Sequence, residues 1–357
     1  MGRVTLQTIA DRVGVSRMTV SNAFSNPGEL SAAMRERVLA VADELGYVGP
    51  DPAARTLASG TAGTVGVVLT ETLQGALTDE VAMTFLGSIA DELAPTGLAL
   101  TLLPSSSREG IVPARDVAID GAVVYLCDPS SSAVGWLLRR RLPVVFVDQN
   151  PAPGIPSVNV EDRSGARAAA QHIVDLGHRN VAIVTTGVPG EFGVIDDPLA
   201  VGAAYVERQR LLGWLDALGA AGIRPTTVRQ PHSSTEDMGY EAGQLLVART
   251  PRPTAILCFS DALAAGVVRA IHDAGLKVPD DISVVGFDDN PLSRRMRPAL
   301  TTVRQDVEAK GRAATTALTT AMERAKRGTV ARSNRHLVLP TELVVRDSTA
   351  KPPRRKR

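Results

Sequence analysis

Cysteine is scarce in this chain of 357 residues, and so are aromatic side chains and lysine. The two cysteines, Cys127 and Cys258, each lie in an apolar strand-like run. That pattern excludes a disulfide framework and fits buried free thiols in a reducing cytosol. Two Trp, four Tyr and six Phe are too few for the stacking ladder that single-stranded nucleic acid requires. Five histidines show no metal-ligand spacing, and there is no CxxC, P-loop, GxSxG or GxGxxG. No catalytic residue, metal ligand or cofactor site is therefore assigned, and the chain is not read as an enzyme. No run approaches the roughly 18 apolar residues of a membrane span. Arg3, Asp11 and Arg12 interrupt any signal-like start. The expectation is a cytoplasmic protein with no membrane partner.

Charge is nearly balanced at +1, but unevenly placed. The closing KPPRRKR carries five positive charges, which leaves the remainder at −4. Residues 1–60 are neutral, with six Arg against six acids, so bulk charge alone does not signal a nucleic-acid partner.

The signal is positional. VTLQTIADRVGVSRMTVSNAF reads as two short helices joined by a tight turn. Thr5 caps a helix from Leu6 to Val13, Gly14 breaks it, and Ser16 caps a second helix of about nine residues. Ile9, Ala10, Val13, Val15, Val20 and Phe24 point inward together, while Arg17, Met18, Ser21 and Asn22 face solvent. A helix-turn-helix this small, with polar and adaptable residues on its second helix, suits the major groove of double-stranded DNA. Ser31 opens a third helix, AAMRERVLAVADEL, which Gly46 stops. After the break at Gly49-Pro50-Asp51-Pro52, AARTLAS forms a helix of about two turns that ends at Gly60, too short to be stable alone.

From Gly63 the pattern becomes strands alternating with amphipathic helices. Strand candidates are 65–70, 98–103, 121–126, 143–148, 181–185, 255–259 and 282–287. They are near-continuous apolar runs, the mark of parallel strands buried on both faces. In open α/β sheets ligands bind beyond the carboxyl ends of the strands. Here those positions carry Thr70-Glu71, Asp128, Asp148-Gln149, Thr186, Ser260-Asp261 and Asp288-Asp289, a ring of acids and hydroxyls suited to a sugar or nucleoside.

VTLQTIADRVGVSRMTVS, DPAARTL, SVNVEDRSGARAAAQHIVDLGHRNVAIV and CFSDALAAGVVRAIHDAGLKVPDDISVVGFDD followed by LTTVRQD resemble, in order, the motifs of the LacI/GalR family of bacterial transcription regulators. The resemblance implies an all-α helix-turn-helix DNA-binding domain with a hinge helix. An α/β periplasmic-binding-protein-like effector domain of two doubly wound lobes follows. The boundaries expected are 1–49 for the reader, 50–60 for the hinge helix, 61–160 and 291–330 for the N-lobe, 161–290 and 331–347 for the C-lobe, and 348–357 for a disordered basic tail.

The resemblance also implies roles. Arg17, Met18 and Asn22 occupy positions from which the family reads bases; Arg pairs with guanine, Asn with adenine, and Met packs on a thymine methyl. Thr5, Ser16, Thr19, Ser21 and Ser31 serve phosphate contact or capping. Leu57, with Ala54 and Arg55 beside it, would enter the minor groove and kink the duplex. Asp148, Arg210, Ser260 and Asp288 match effector-contacting positions. The function implied is a repressor of metabolic genes, a homodimer or tetramer on a near-palindromic operator, controlled by a sugar or nucleoside. Two other readings use the same lobes: a solute-binding transport protein, which needs export, and an enzyme acting on sugars or nucleosides. The long connection 187–206 is a candidate lid, with Glu191, Asp196 or Asp197 near the ligand.

Overall fold

Each of the three N-terminal helices is opened by a hydroxyl, and a glycine closes the first. Thr5 and Thr8 satisfy each other's backbone N–H groups at 3.3 Å across the first turn of α1 (Leu6–Val13). Gly14, at φ +77°, ends α1 in left-handed backbone that a side chain would strain. Ser16 Oγ accepts from Thr19 N at 3.0 Å and opens α2 (Arg17–Ser25). Ser31 Oγ accepts from Met34 N at 3.3 Å and opens α3 (Ala32–Glu44). Ile9, Ala10, Val13, Val20, Ala23, Val38 and Ala42 form the core of this small unit, with Val15 and Phe24 half-buried at its edge. Arg37 donates to Val13 O at 2.9 Å and ties α3 to the end of α1.

This computed structural model describes residues 4–25, 27–49, 51, 56–57, 60–69, 73–105, 110–126, 131–187, 190–197, 199, 204–230, 234–328 and 335–353. Ala54, Arg55, Thr70, Glu71, Cys127, Asp128 and most of the expected hinge segment 50–60 lie outside them. The chain divides into two units, Met1–Gly63 and Thr64–Arg357.

The larger unit holds two sheets. The first comprises β1 (Thr64–Leu69), β2 (Ala99–Pro104), β3 (Gly121–Tyr125), β4 (Val144–Val147), β5 (Ser157–Val160) and β12 (His336–Leu339), in the order β12-β5-β4-β3-β1-β2. Every pairing in it is parallel. Besides α4 (Leu73–Thr78), one face carries α5 (Glu80–Leu93) and α12 (Val307–Lys326), packed through Phe85, Ile89, Ala314 and Leu318. The other face carries α6 (Pro113–Asp116) and α7 (Ser132–Arg139).

The second sheet comprises β6 (Val181–Thr185), β7 (Gly193–Ile195), β8 (Thr226–Arg229), β9 (Ala255–Cys258), β10 (Ser283–Asp288), β11 (Thr301–Gln305) and β13 (Thr341–Val344). Its order is β13-β11-β10-β9-β6-β8-β7, with only the two edge strands antiparallel. Helices α8 (Asp162–Asp175) and α9 (Tyr205–Ala220) cover one face around Trp214, Leu218 and Phe287. Helices α10 (Glu236–Val247) and α11 (Asp261–Asp273) cover the other. These two helices approach closely at Gly239 and Gly266. A methyl group on Gly266 would fall on the Glu236 carbonyl, and one on Gly239 on the Leu263 carbonyl.

The chain crosses between the sheets at Glu161, Asp306 and Pro340, each a single residue between an element of one lobe and an element of the other. The crossings lie side by side: Glu161 N donates to Leu339 O at 2.9 Å, and Thr341 Oγ1 donates to Glu161 O at 3.1 Å. This connectivity corrects the expected lobe boundaries. Residues 291–305 belong with the second lobe, because β11 pairs β10, and β12 belongs with the first, because it pairs β5.

The tail is corrected as well. Val284 N donates to Ser348 O at 2.9 Å, Ser348 Oγ donates to Val284 O at 2.6 Å, and Ala350 N donates to Ser283 Oγ at 3.0 Å. Residues 348–350 are thus docked on β10 rather than disordered, while 354–357 lie outside the described residues. His178 joins that docking through Nε2, 2.8 Å from Ala350 O. Within 187–206, the segment 193–195 pairs with β8 as an edge strand, and Arg229 Nε donates to Glu191 O at 2.7 Å.

Candidate DNA-reading surface and interlobe cavity

In the N-terminal unit the hydroxyls of Thr5, Ser16 and Ser31 are engaged as helix caps, and Thr19 Oγ1 lies 2.8 Å from Ser16 Oγ. Arg17 and Met18 stand exposed at the start of α2, with Met18 at 69%. Asn22 and Ser21 are half-buried, one turn further on. The Asn22 amide is not idle: its Nδ2 donates to Glu29 Oε2 at 2.5 Å. An adenine read by Asn22 would therefore compete with Glu29 for that N–H, a contact the sequence reading missed because it spans the turn after α2. Leu57 is 86% exposed, the position of an apolar side chain with no core of its own.

The two lobes enclose a cavity of about 750 Å³. All four effector candidates from the sequence line it: Asp148, Arg210, Ser260 and Asp288. Asp148 follows β4 and Asp288 ends β10, with φ of +54° and +116°, left-handed backbone that non-glycine residues seldom adopt. Ser260 caps α11, accepting from Leu263 N at 3.1 Å, and its Oγ is also bonded to Ser234 Oγ.

Arg210 projects from the buried face of α9 and is held on every side. Its Nε donates to Asp162 Oδ1 at 2.9 Å and its NH1 to Phe259 O at 2.6 Å, while Asp288 Oδ1 lies 3.5 Å away. The guanidinium lies over Phe287 and Phe259, 3.6 and 4.5 Å from the ring centroids.

Two residues absent from the sequence reading complete the floor. Gln305, at the end of β11, donates to Asp288 Oδ1 at 2.7 Å. Lys310, 1% exposed, donates to Gln305 Oε1 at 2.9 Å and to Asp148 Oδ2. A chain of hydrogen bonds therefore runs Asp148–Lys310–Gln305–Asp288–Arg210–Asp162 from one lobe to the other. Asp148 Oδ1 and Asp162 Oδ2 are buried without a hydrogen-bond partner among the described residues.

Burial pushes the Asp288 carboxyl up to about 7, against the pull of Arg210 and helped by Asp79. Burial likewise takes Asp162 up to about 6, with Arg210 opposing. Asp289 behaves oppositely. Burial works against its charge, but hydrogen bonds from Arg346, Arg304, Ser293 and Arg294 bring it down to about 2. Asp289 is thus a structural tie rather than part of the cavity wall, and Asp261 is consumed by Thr302 Oγ1 at 2.5 Å and Asn290 N at 3.0 Å. Glu191, Asp196 and Asp197 are not among the described residues that line the cavity. No helix among the described residues is long and apolar enough to cross a membrane.

A helix-turn-helix unit followed by a two-lobed α/β unit with a cavity between its lobes defines a DNA-binding regulator that carries a periplasmic-binding-protein-like domain. The comparisons agree. Residues 5–49 match the family described as bacterial regulatory proteins, lacI family, and residues 170–349 match the periplasmic binding protein-like domain. An HTH-type transcriptional regulator of Mycolicibacterium smegmatis is 34% identical over 327 residues, covering 87% of this chain and 89% of that one. The crystal structure of the lac repressor dimer bound to operator and the anti-inducer ONPF has a TM-score of 0.76 at 26% identity, covering 98% of this chain and all of that one. A complex of the transcriptional regulator CelR with cellobiose has a TM-score of 0.68 at 26% identity, covering 97% of this chain and 100% of that one. The chain belongs to the lacI family of bacterial regulatory proteins and is a DNA-binding transcriptional regulator.

Proposed function

We propose that this protein is a cytoplasmic, homodimeric repressor of metabolic genes, without enzymatic activity, whose hold on a near-palindromic operator is set by a sugar or nucleoside bound between its lobes. The carrying observation is the cavity: about 750 Å³, walled by both lobes, with buried Asp148 Oδ1 unpartnered among the described residues. A buried acceptor left without a donor is costly, so it marks the place where a hydrogen-bond donor of the ligand belongs. The operator-bound lac repressor dimer and the cellobiose complex of CelR support dimeric operator binding and a saccharide in the cavity.

Each copy would place α2 in the major groove. Arg17 and Met18 would read bases at once, and Asn22 after exchanging Glu29 for a base edge. Thr5, Ser16, Thr19, Ser21 and Ser31 would set register against the phosphates, and Leu57 with Ala54 and Arg55 would enter the minor groove between half-sites. Asp148, Arg210, Ser260 and Asp288 would contact the ligand. Because a two-turn helix is marginal alone, a differential ligand affinity of a few kcal/mol for two lobe arrangements is enough to order or melt it. Random-site selection on duplex DNA, run with and without a metabolite library, tests this. The expected result is a two-fold-symmetric sequence whose recovery one metabolite changes; no enriched sequence at moderate salt defeats the proposal.

A further inference from the structure

Six carboxylates line the cavity, from Asp79, Glu80, Asp148, Glu207, Glu236 and Asp288. Two of them are paired outward, Glu80 with Arg295 at 3.2 Å and Glu236 with Arg269 at 2.8 Å, which leaves Asp79, Asp148, Glu207 and Asp288. Among the described lining residues Arg210 is the one basic side chain, and Asp162, Asp288 and the Phe259 carbonyl already surround it. Lys310, outside the lining, ties down only the second oxygen of Asp148. The first oxygen is buried and unpartnered among the described residues, in a side chain that is 5% exposed. A carboxylate oxygen can only accept, so whatever meets it must donate.

Taking the cavity as the effector site, as proposed above, we infer that its ligand is an aminated polyol, a sugar or cyclitol bearing an ammonium, whose positive charge sits against Asp148. A neutral polyol supplies donors but leaves the excess negative charge of the wall uncompensated. A phosphorylated or carboxylated ligand meets that wall with like charge at short range, in a partly desolvated space where repulsion is poorly screened. An ammonium supplies three donors and the compensating charge together. The crowding is also visible in Asp288, whose carboxyl burial and Asp79 push up to about 7 even with Arg210 beside it.

The test is calorimetric titration of the full-length protein with hexoses, pentoses and cyclic polyols, each in neutral, amino and phosphorylated form. The amino form of the preferred skeleton should bind about tenfold or more tighter than its neutral parent. That advantage should shrink about threefold between roughly 50 and 500 mM salt. The phosphorylated form should not bind. Asp148→Asn should abolish most of the preference for the amino form over its neutral parent. Should that variant fold poorly, Glu80→Gln with Glu236→Gln, both at exposed positions, should lower the preference at least twofold. A phosphorylated form that binds as well as its parent, or an amino preference untouched in both variants, overturns the inference. A panel in which no form binds defeats the reading of the cavity as the effector site, and this inference falls with it.

Discussion

Arg210 donates through Nε to Oδ1 of Asp162 at 2.9 Å, and the two side chains are 5% and 1% exposed. The pair fixes the guanidinium against Phe287 before any ligand arrives, so the second lobe offers a preformed wall.

Arg210→Met should therefore cost far more than its area. Two buried carboxylates, Asp162 and Asp288, would lose their cation, an uncompensated-charge penalty of about 3–5 kcal/mol. Urea unfolding should show that loss, and adding Asp162→Asn should recover part of it. A loss under about 1 kcal/mol would mean the pair is open to water.

Stability should depend on pH through the same acids. Native Asp288 and Asp162 titrate near 7 and 6, above the usual carboxylate value near 4, so the folded chain holds more protons between those limits. Their contribution falls as pH rises from about 4 to 7. Asp289, near 2, contributes in the other direction: its stabilisation is full above about pH 4 and lost as pH drops toward 2. The unfolding free energy of wild type minus that of Asp288→Asn should drop by on the order of 1–3 kcal/mol between about pH 5 and pH 8. A flat difference across that range would contradict the assignment.

At the DNA-reading end, neighbouring residues should separate cleanly. Ser16→Ala removes the cap of α2 and should lower stability by about 1 kcal/mol. Arg17→Ala should leave the melting temperature unchanged, yet weaken operator binding by about 1–3 kcal/mol and relax the preference at one base pair. Melting curves and binding curves on the selected operator distinguish the two.

Gly266→Val should be among the most damaging changes in the second lobe. The added side chain has only the Glu236 and Tyr240 backbone to move into, so α10 must shift away from α11. A loss of about 3 kcal/mol or more is expected from thermal unfolding.

Much of the cavity wall could be read from sequence, because Asp148, Ser260 and Asp288 stand directly beyond apolar strand runs. The end of the TTVRQ strand was missed: it follows the VVGFD strand at short range and carries too few apolar residues to declare itself. Gln305 went with it. Lys310 had a fainter signature, a lone lysine on the stripe Val307, Lys310, Ala314, Leu318 that is otherwise small or apolar. Such a position demands a buried partner, but which one depends on the fold. The pairing of His336–Leu339 with Ser157–Val160 joins segments almost 180 residues apart, and no local pattern encodes it. The Asn22–Glu29 bond was likewise hidden, since helical spacing does not extend across a turn.

The single-residue crossings at Glu161, Asp306 and Pro340 bear on how the molecule is made. The first lobe begins at Thr64, yet its covering helix ends at Lys326 and its edge strand at Leu339, after most of the second lobe has been synthesised. A chain emerging from the ribosome cannot complete its first lobe first. Until residues 336–339 appear, the β5 edge stands open, and that interval is when the nascent protein is most exposed to mispairing with another copy of itself.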